Sequence, residues 1–201
     1  MPMDSSTLTK DILNTFRTNM KQVNPQAEPQ EFQEHLAKAV ADATINVLKS
    51  STTVGVAPFP VLVPGVNGIG LTVDGLTMTQ TAANAMRGFS GGGGIALDKS
   101  MEALMLPVQR HLATNVEVVS VSGFGGQGLA PATATPPLFE AAILAALPPD
   151  IAAKMTASSQ GKFYIKAISL GLGVGMAASV PGIVPFGSTP PAAGPFVGIF
   201  K

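Results

Sequence analysis

Three charge-free stretches rich in glycine and proline constrain this chain more than any other feature. They cover residues 50–73, 118–139 and 167–200, and each follows a segment with helical periodicity. Each stretch holds one copy of a short pattern: valine, a turn former, glycine, an apolar residue, three free positions and glycine. The copies begin at Val63, Val121 and Val180, which are 58 and 59 residues apart. This spacing favours three repeated units.

On this pattern the chain divides into segments 1–75, 76–137 and 138–201, each with helices followed by a neutral arm, and together forming one compact domain. Apolar residues spaced three and four apart predict helices over 7–23, 29–49, 77–86, 98–112, 138–147 and 150–158, and a further one from Gly161. Thr52–Val56 and Val116–Val121 favour extended backbone. The predicted fold class is mainly α with Gly/Pro-rich arms and a few short β-strands (α+β), organised as a three-fold internal repeat.

Composition limits the partners of the chain. Charged residues make up 12% of the sequence and the formal net charge is zero, so no long-range attraction to phosphate is expected and nucleic acid is not a predicted partner. Apolar residues make up 46%, which is enough to bury a core despite 22 glycines and 17 prolines. Cysteine is absent, which excludes disulfides and thiolate metal sites.

No motif predicts catalysis, so no catalytic, cofactor-binding or metal-ligating residue is predicted and the chain is not expected to be an enzyme. The loop Gly91–Gly94 lacks the Lys-Ser/Thr ending of a phosphate-binding loop and is interpreted as a hinge, although a nucleotide-binding module stays open as an alternative. His35 and His111 have no second histidine or carboxylate at metal-ligand spacing, so both are interpreted as lying on solvated helix faces.

The uncharged run Ala167–Phe186 is long enough to cross a bilayer, which makes a small membrane-active or membrane-anchored protein the alternative function. Pro181 and Pro185 would break such a helix, and four glycines lower its propensity. A buried core segment is therefore favoured, and a membrane is not the expected partner.

The arms are the predicted interaction elements. Proline-stiffened, neutral ribbons carry main-chain N–H and C=O groups that need partners, and neighbouring subunits could provide them by strand addition or groove packing. The predicted interaction residues come from all three arms: Val63, Pro64, Gly65, Val121, Gly123, Val180, Pro181, Gly182, Pro195 and Phe196.

The arms and the helices before them carry a resemblance. A helix ending in Ile45-Asn46-Val47-Leu48-Lys49 leads into a Val/Thr/Pro/Gly tail, and the segment from Val180 to Pro185 leads towards Gly194-Pro195-Phe196-Val197-Gly198. In these features the chain resembles small structural proteins of tailed-bacteriophage virions, such as neck, tail or capsid-decorating proteins. The resemblance implies a non-enzymatic homo-oligomer in the virion, assembled in the host cytoplasm with copies of itself and other virion structural proteins as partners.

Overall fold

A computed structural model of the chain describes residues 3–23, 25–26, 29–56, 67–69, 71–90, 94–123, 127–128, 134–181 and 196–201. In this part the protein is mainly helical, as predicted. The helices are α1 (Ser5–Val23), α2 (Glu31–Lys49), α3 (Gly75–Ser90), α4 (Ile95–Asn115), α5 (Pro136–Ala146), α6 (Pro149–Ala157) and α7 (Ser159–Ala177).

Helices α1 and α3 begin in the same way. The Asp4 carboxylate accepts hydrogen bonds from the N–H groups of Ser6 and Thr7 at 3.1 and 3.0 Å. Asp74 accepts from those of Leu76 and Thr77 at 3.0 and 3.2 Å, so both acids satisfy free N–H groups at a helix start. The hydroxyls of Thr7 and Thr77 are the main cause that holds the pKa of each carboxyl below its usual value.

The helices enclose one hydrophobic core in a closed order. Helix α1 packs against α4, α4 against α3, α3 against α7, α7 against α5, α5 against α2, and α2 against α1. Helix α6 packs outside this ring against α7. Helices α2, α4 and α7 supply most of the buried helical residues, and α4 also contacts both α2 and α7.

The strands are β1 (Thr52–Val56), β2 (Asn67–Ile69), β3 (Leu71–Thr72), β4 (Glu117–Gly123), β5 (Gln127–Gly128), β6 (Val180–Pro181) and β7 (Phe196–Phe200). Five of them form one antiparallel sheet in the order β2-β4-β7-β1-β5, and β3 pairs with β6. Strand β5 also contacts β6, and Gly70 alone separates β2 from β3 in sequence. Through these ladders, the contact between β5 and β6, and the chain connection from β2 to β3, the described strands form a closed order, as the helices do.

Helices and strands join directly. Helix α2 leads into β1, α4 into β4 and α7 into β6, with two, one and two residues between the elements. The sheet contacts the helical ring through β7 against α2 and through β2 against α4. The strands thus gather at the end of the ring where α2, α4 and α7 finish.

Most sequence-based elements are confirmed, with corrections to two helices. Helix α3 extends from Gly75 to Ser90, beyond the predicted 77–86. Helix α4 begins at Ile95 with Gly94 as its N-cap, and Asp98 lies in its first turn, where it pairs with Arg87. Helix α4 continues through Pro107, whose burial in the core offsets its low helix propensity.

A glycine substitution tests the tight packing of α7. A Cβ on Gly173 would lie 2.5 Å from Cδ and 2.6 Å from N of Pro136, whose ring cannot move aside. Gly173→Ala is expected to lower the free energy of unfolding by about 1–3 kcal/mol. Gly88→Ala is the matched control, because nothing lies within 4 Å of its Cβ position, and it should raise stability by up to about 1 kcal/mol. Equal effects of the two substitutions in urea denaturation would contradict the packing described for α7.

Candidate functional site

The predicted interaction residues lie partly within the described chain. Val121 and Gly123 belong to β4, Val180 and Pro181 form β6, and Phe196 begins β7. The remaining five lie outside the described residues: Val63, Pro64, Gly65, Gly182 and Pro195.

The sheet brings the described interaction residues of two arms together. Phe196 lies opposite both Gly55 of β1 and Gly123 of β4. Val121 is the extra residue of a β-bulge, because Ser120 pairs with Gly198 and Ser122 with Val197. Val180 and Pro181 lie elsewhere and pair with Thr72 and Leu71.

The described parts of the arms have strand partners in other segments of the same chain, and completion of the arms by neighbouring subunits stays a prediction. In the described residues every ladder joins strands of the same chain, so backbone groups of β1, β4 and β7 find their partners within it. Each ladder also joins different segments of the chain. Strands of one arm do not pair with each other in the part that the structure describes.

The run proposed as a membrane segment contributes α7 to the core. Its residues face α3 and α5, and Ile165, Ile168, Leu172 and Met176 are buried. Of the helices in the described ranges, none is both long and apolar enough to cross a membrane. The buried-core interpretation is therefore confirmed up to Ala177; residues 182–186 of the run lie outside the description.

A polar groove of about 530 Å³ lies between α1 and α4. Asn14 and Thr18 line it from α1, and Leu106 and Thr114 line it from α4. The two helices run antiparallel, and on each of them residues spaced four apart along one face form a wall of the groove. Sequence reasoning missed this groove, because it depends on which helices become neighbours.

The charges of the groove are only partly paired. Arg110 donates a hydrogen bond to the Thr15 hydroxyl at 3.2 Å and forms no ion pair with another described residue. Glu102 pairs with Lys99 at 3.0 Å. Asp11 lines the groove without an ion pair to any described lysine or arginine. In the described part of the chain no cluster of three or more His, Asp or Glu could hold a metal ion.

His111 corrects the interpretation that it lies on a solvated face. Its side chain is 2% exposed, whereas His35 is on the surface, 3.7 Å from Glu31. The side-chain amide of Asn115 lies within hydrogen-bond distance of Nδ1 of His111, at 3.2 Å. Nε2 is buried and has no hydrogen-bond partner among the described residues.

Burial lowers the pKa of His111 below its ordinary 6.5, and the charges of Asp11 and Asp4 oppose this shift. The neutral imidazole is therefore the form that the fold accommodates. A buried polar group without a partner costs about 1–3 kcal/mol. The imidazole also lines the groove between α1 and α4, together with Asp11.

An aromatic cluster lies where α2 and α7 begin. Tyr164 is hydrogen bonded to the Ser100 hydroxyl at 3.0 Å, and burial raises the pKa of its phenol. Phe32 and Tyr164 line a smaller cavity of about 270 Å³. Phe89 stacks on Phe163 with ring centroids 4.1 Å apart and is 42% exposed.

Comparison of the chain with protein-family models, with curated proteins and with solved structures finds no match.

Acid should destabilise the protein through His111. The unfolded chain binds a proton at this group near pH 6.5 and the folded chain only at lower pH, so the stabilising contribution is complete above pH 6.5 and is lost as the pH falls below it. The slope from one such group is at most about 1.4 kcal/mol per pH unit. Urea denaturation between pH 8 and pH 5 measures it.

His111→Val should remove this slope, because valine has no titratable group. The fold should accommodate it, since the buried Val47 holds the same position in α2, counted from the first helical residue. His35→Gln, on the surface, is the control and should retain the slope. An identical pH dependence in the wild type and in His111→Val would show that another group controls acid stability.

Proposed function

We propose that the chain is a non-enzymatic structural component of a virion or a similar large assembly, built from three repeats of a helical hairpin followed by a neutral arm. The observation that carries this proposal is the strand pairing, in which each arm is completed by the other two segments. A protein whose three segments are held together by strand pairing suits a structural role in a particle.

The first helix of each segment supports the repeat. Asp4, Asp74 and Thr135 come directly before these helices. In all three segments the residue before this position is buried, and so are the residues four, eight and twelve positions after it. They are Met3, Val73 and Ala134; Leu8, Met78 and Phe139; Ile12, Ala82 and Ile143; and Phe16, Met86 and Leu147. Buried residues before the cap and four positions after it have the spacing of a hydrophobic staple.

The second helices support it further. Helices α2, α4 and α7 begin at Glu31, Ile95 and Ser159, which are 64 residues apart each time. At this offset the buried positions coincide: Ala37, Met101 and Ile165; Ala39, Ala103 and Ala167; Val40, Leu104 and Ile168; Thr44, Val108 and Leu172; and Leu48, Leu112 and Met176. Alanine at one position in all three helices is consistent with a close approach of helices in each unit.

The partners in this proposal are other virion structural proteins and further copies of the chain, and the location is the virion. The resemblance to tailed-phage neck, tail or capsid-decorating proteins motivates it. Since the described strands already pair within the chain, contacts with other subunits would use other surfaces. The membrane alternative loses its main support, because α7 buries its apolar residues against α3 and α5.

Quantitative mass spectrometry of purified particles from the source that encodes the chain tests this function. The proposal expects the chain in every preparation at a fixed ratio to the major structural protein, because a structural part has a defined copy number. The ratio should survive a salt wash that removes adsorbed proteins. Absence from particles, or a ratio that falls with washing, would contradict the proposal.

A further inference from the structure

We propose that this chain is the single-chain counterpart of a homotrimer, and that one copy occupies a three-fold axis of its assembly against a partner that presents the same contact three times. The axis placement rests on the proposed structural function; the trimer-like architecture rests on the chain alone.

The helix contacts are those of a three-fold arrangement. The first helix of each segment packs against its own second helix, as in α1 with α2, α3 with α4 and α5 with α7. It also packs against the second helix of the following segment, as in α1 with α4 and α3 with α7. The third segment has no following segment in sequence, so in a closed ring the first segment takes that place. Helix α5 of the third segment does pack against α2, the second helix of the first. The order therefore closes like a cyclic trimer.

The strands obey the same rule. The strand that leaves each second helix is β1, β4 or β6, and it lies between arm strands of the two other segments. Strand β1 is next to β5 and β7, β4 is next to β2 and β7, and β6 is next to β3 and β5. All six neighbour relations of a three-fold ring of strands are therefore present. Five of them are hydrogen-bonded ladders, and the sixth, between β5 and β6, is a contact without a ladder in the described residues.

A hydrogen bond locates the axis. Ser100 and Tyr164 hold the same position in α4 and α7, five residues after the first helical residue, and their hydroxyls lie 3.0 Å apart. Equivalent groups of a rotationally related body meet only near the axis that relates them. The axis thus passes close to the beginnings of the second helices. Helix α4 also contacts both other second helices, α2 and α7.

This architecture suits a partner with three-fold symmetry. A ring of three units fills the place that three separate subunits would occupy, so additional copies are not needed around the same axis. The equivalent helices of the three units lie around that axis, apart from α6, which the third unit has alone, and the matching partner presents one contact to each unit. Such a partner is three copies of one protein, or one trimer, arranged around the axis.

Circular permutation tests the closed ring in the isolated protein. A permutant that begins at Pro131 and ends at Ala130 has Lys201 joined to Met3 through two glycines. In the ring, β7 takes the position before α1 that β3 takes before α3. A short junction should therefore be long enough to connect β7 to α1. We expect the helical circular-dichroism signal of the parent chain and a melting temperature within a few degrees of it.

A second permutant with the same ends and a junction of about twenty Gly/Ser residues is the matched control, since its linker spans several tens of ångströms. Folding of this control without folding of the short-junction form would contradict the ring closure. Failure of both forms would contradict the equivalence of the three segments.

Image reconstruction of the particle without imposed symmetry at the axis tests the placement. The inference expects density for one chain centred on a three-fold axis, with its ring of helices around that axis. Several copies arranged around the axis would overturn the inference while leaving the structural function intact. Absence of the chain from the particle would instead remove the proposed function, and the permutation result would still decide the architecture.

Discussion

The structure depends on a backbone requirement: extended strands without a partner in their own arm must be completed by other segments of the chain. Strand β7 of the last segment lies between β1 of the first and β4 of the second. No segment can therefore form its strands alone, and the ladders that satisfy the backbone also tie the three segments together.

The helical ring places small residues where its elements approach closely. Gly173 of α7 faces the ring of Pro136, and Ala39, Ala103 and Ala167 are fully buried at one shared helical position. Glycine has a low helix propensity, so packing rather than local preference explains Gly173. His111 places an imidazole in this core where α2 has the apolar Val47.

Helix existence and the extended Thr52–Val56 follow from the sequence, because apolar periodicity and β-branched residues report local geometry directly. The valine–glycine pattern that suggested three units does not mark equivalent positions relative to the helices. Val121 and Val180 lie six and three residues after the ends of α4 and α7. The Asp-x-x-Thr starts at Asp4 and Asp74 are the better signal, since a cap fixes the helix register.

Strand partners and the groove between α1 and α4 are not predictable from one sequence. Both depend on contacts between segments far apart in the chain, and periodicity describes only one element at a time. The burial of His111 was missed for the same reason: its own helix has polar neighbours such as Arg110, and the element that covers it comes from elsewhere. The pairing of β7 with strands of the two other segments likewise became evident only from the register of the strands.

Hydrogen–deuterium exchange at several protein concentrations tests the central claim most directly. If the arms are completed inside one chain, amides of β1, β4 and β7 exchange slowly and at rates that do not change on dilution. Protection that is lost on dilution, while the helices stay protected, would show that other subunits complete the strands and would contradict the account.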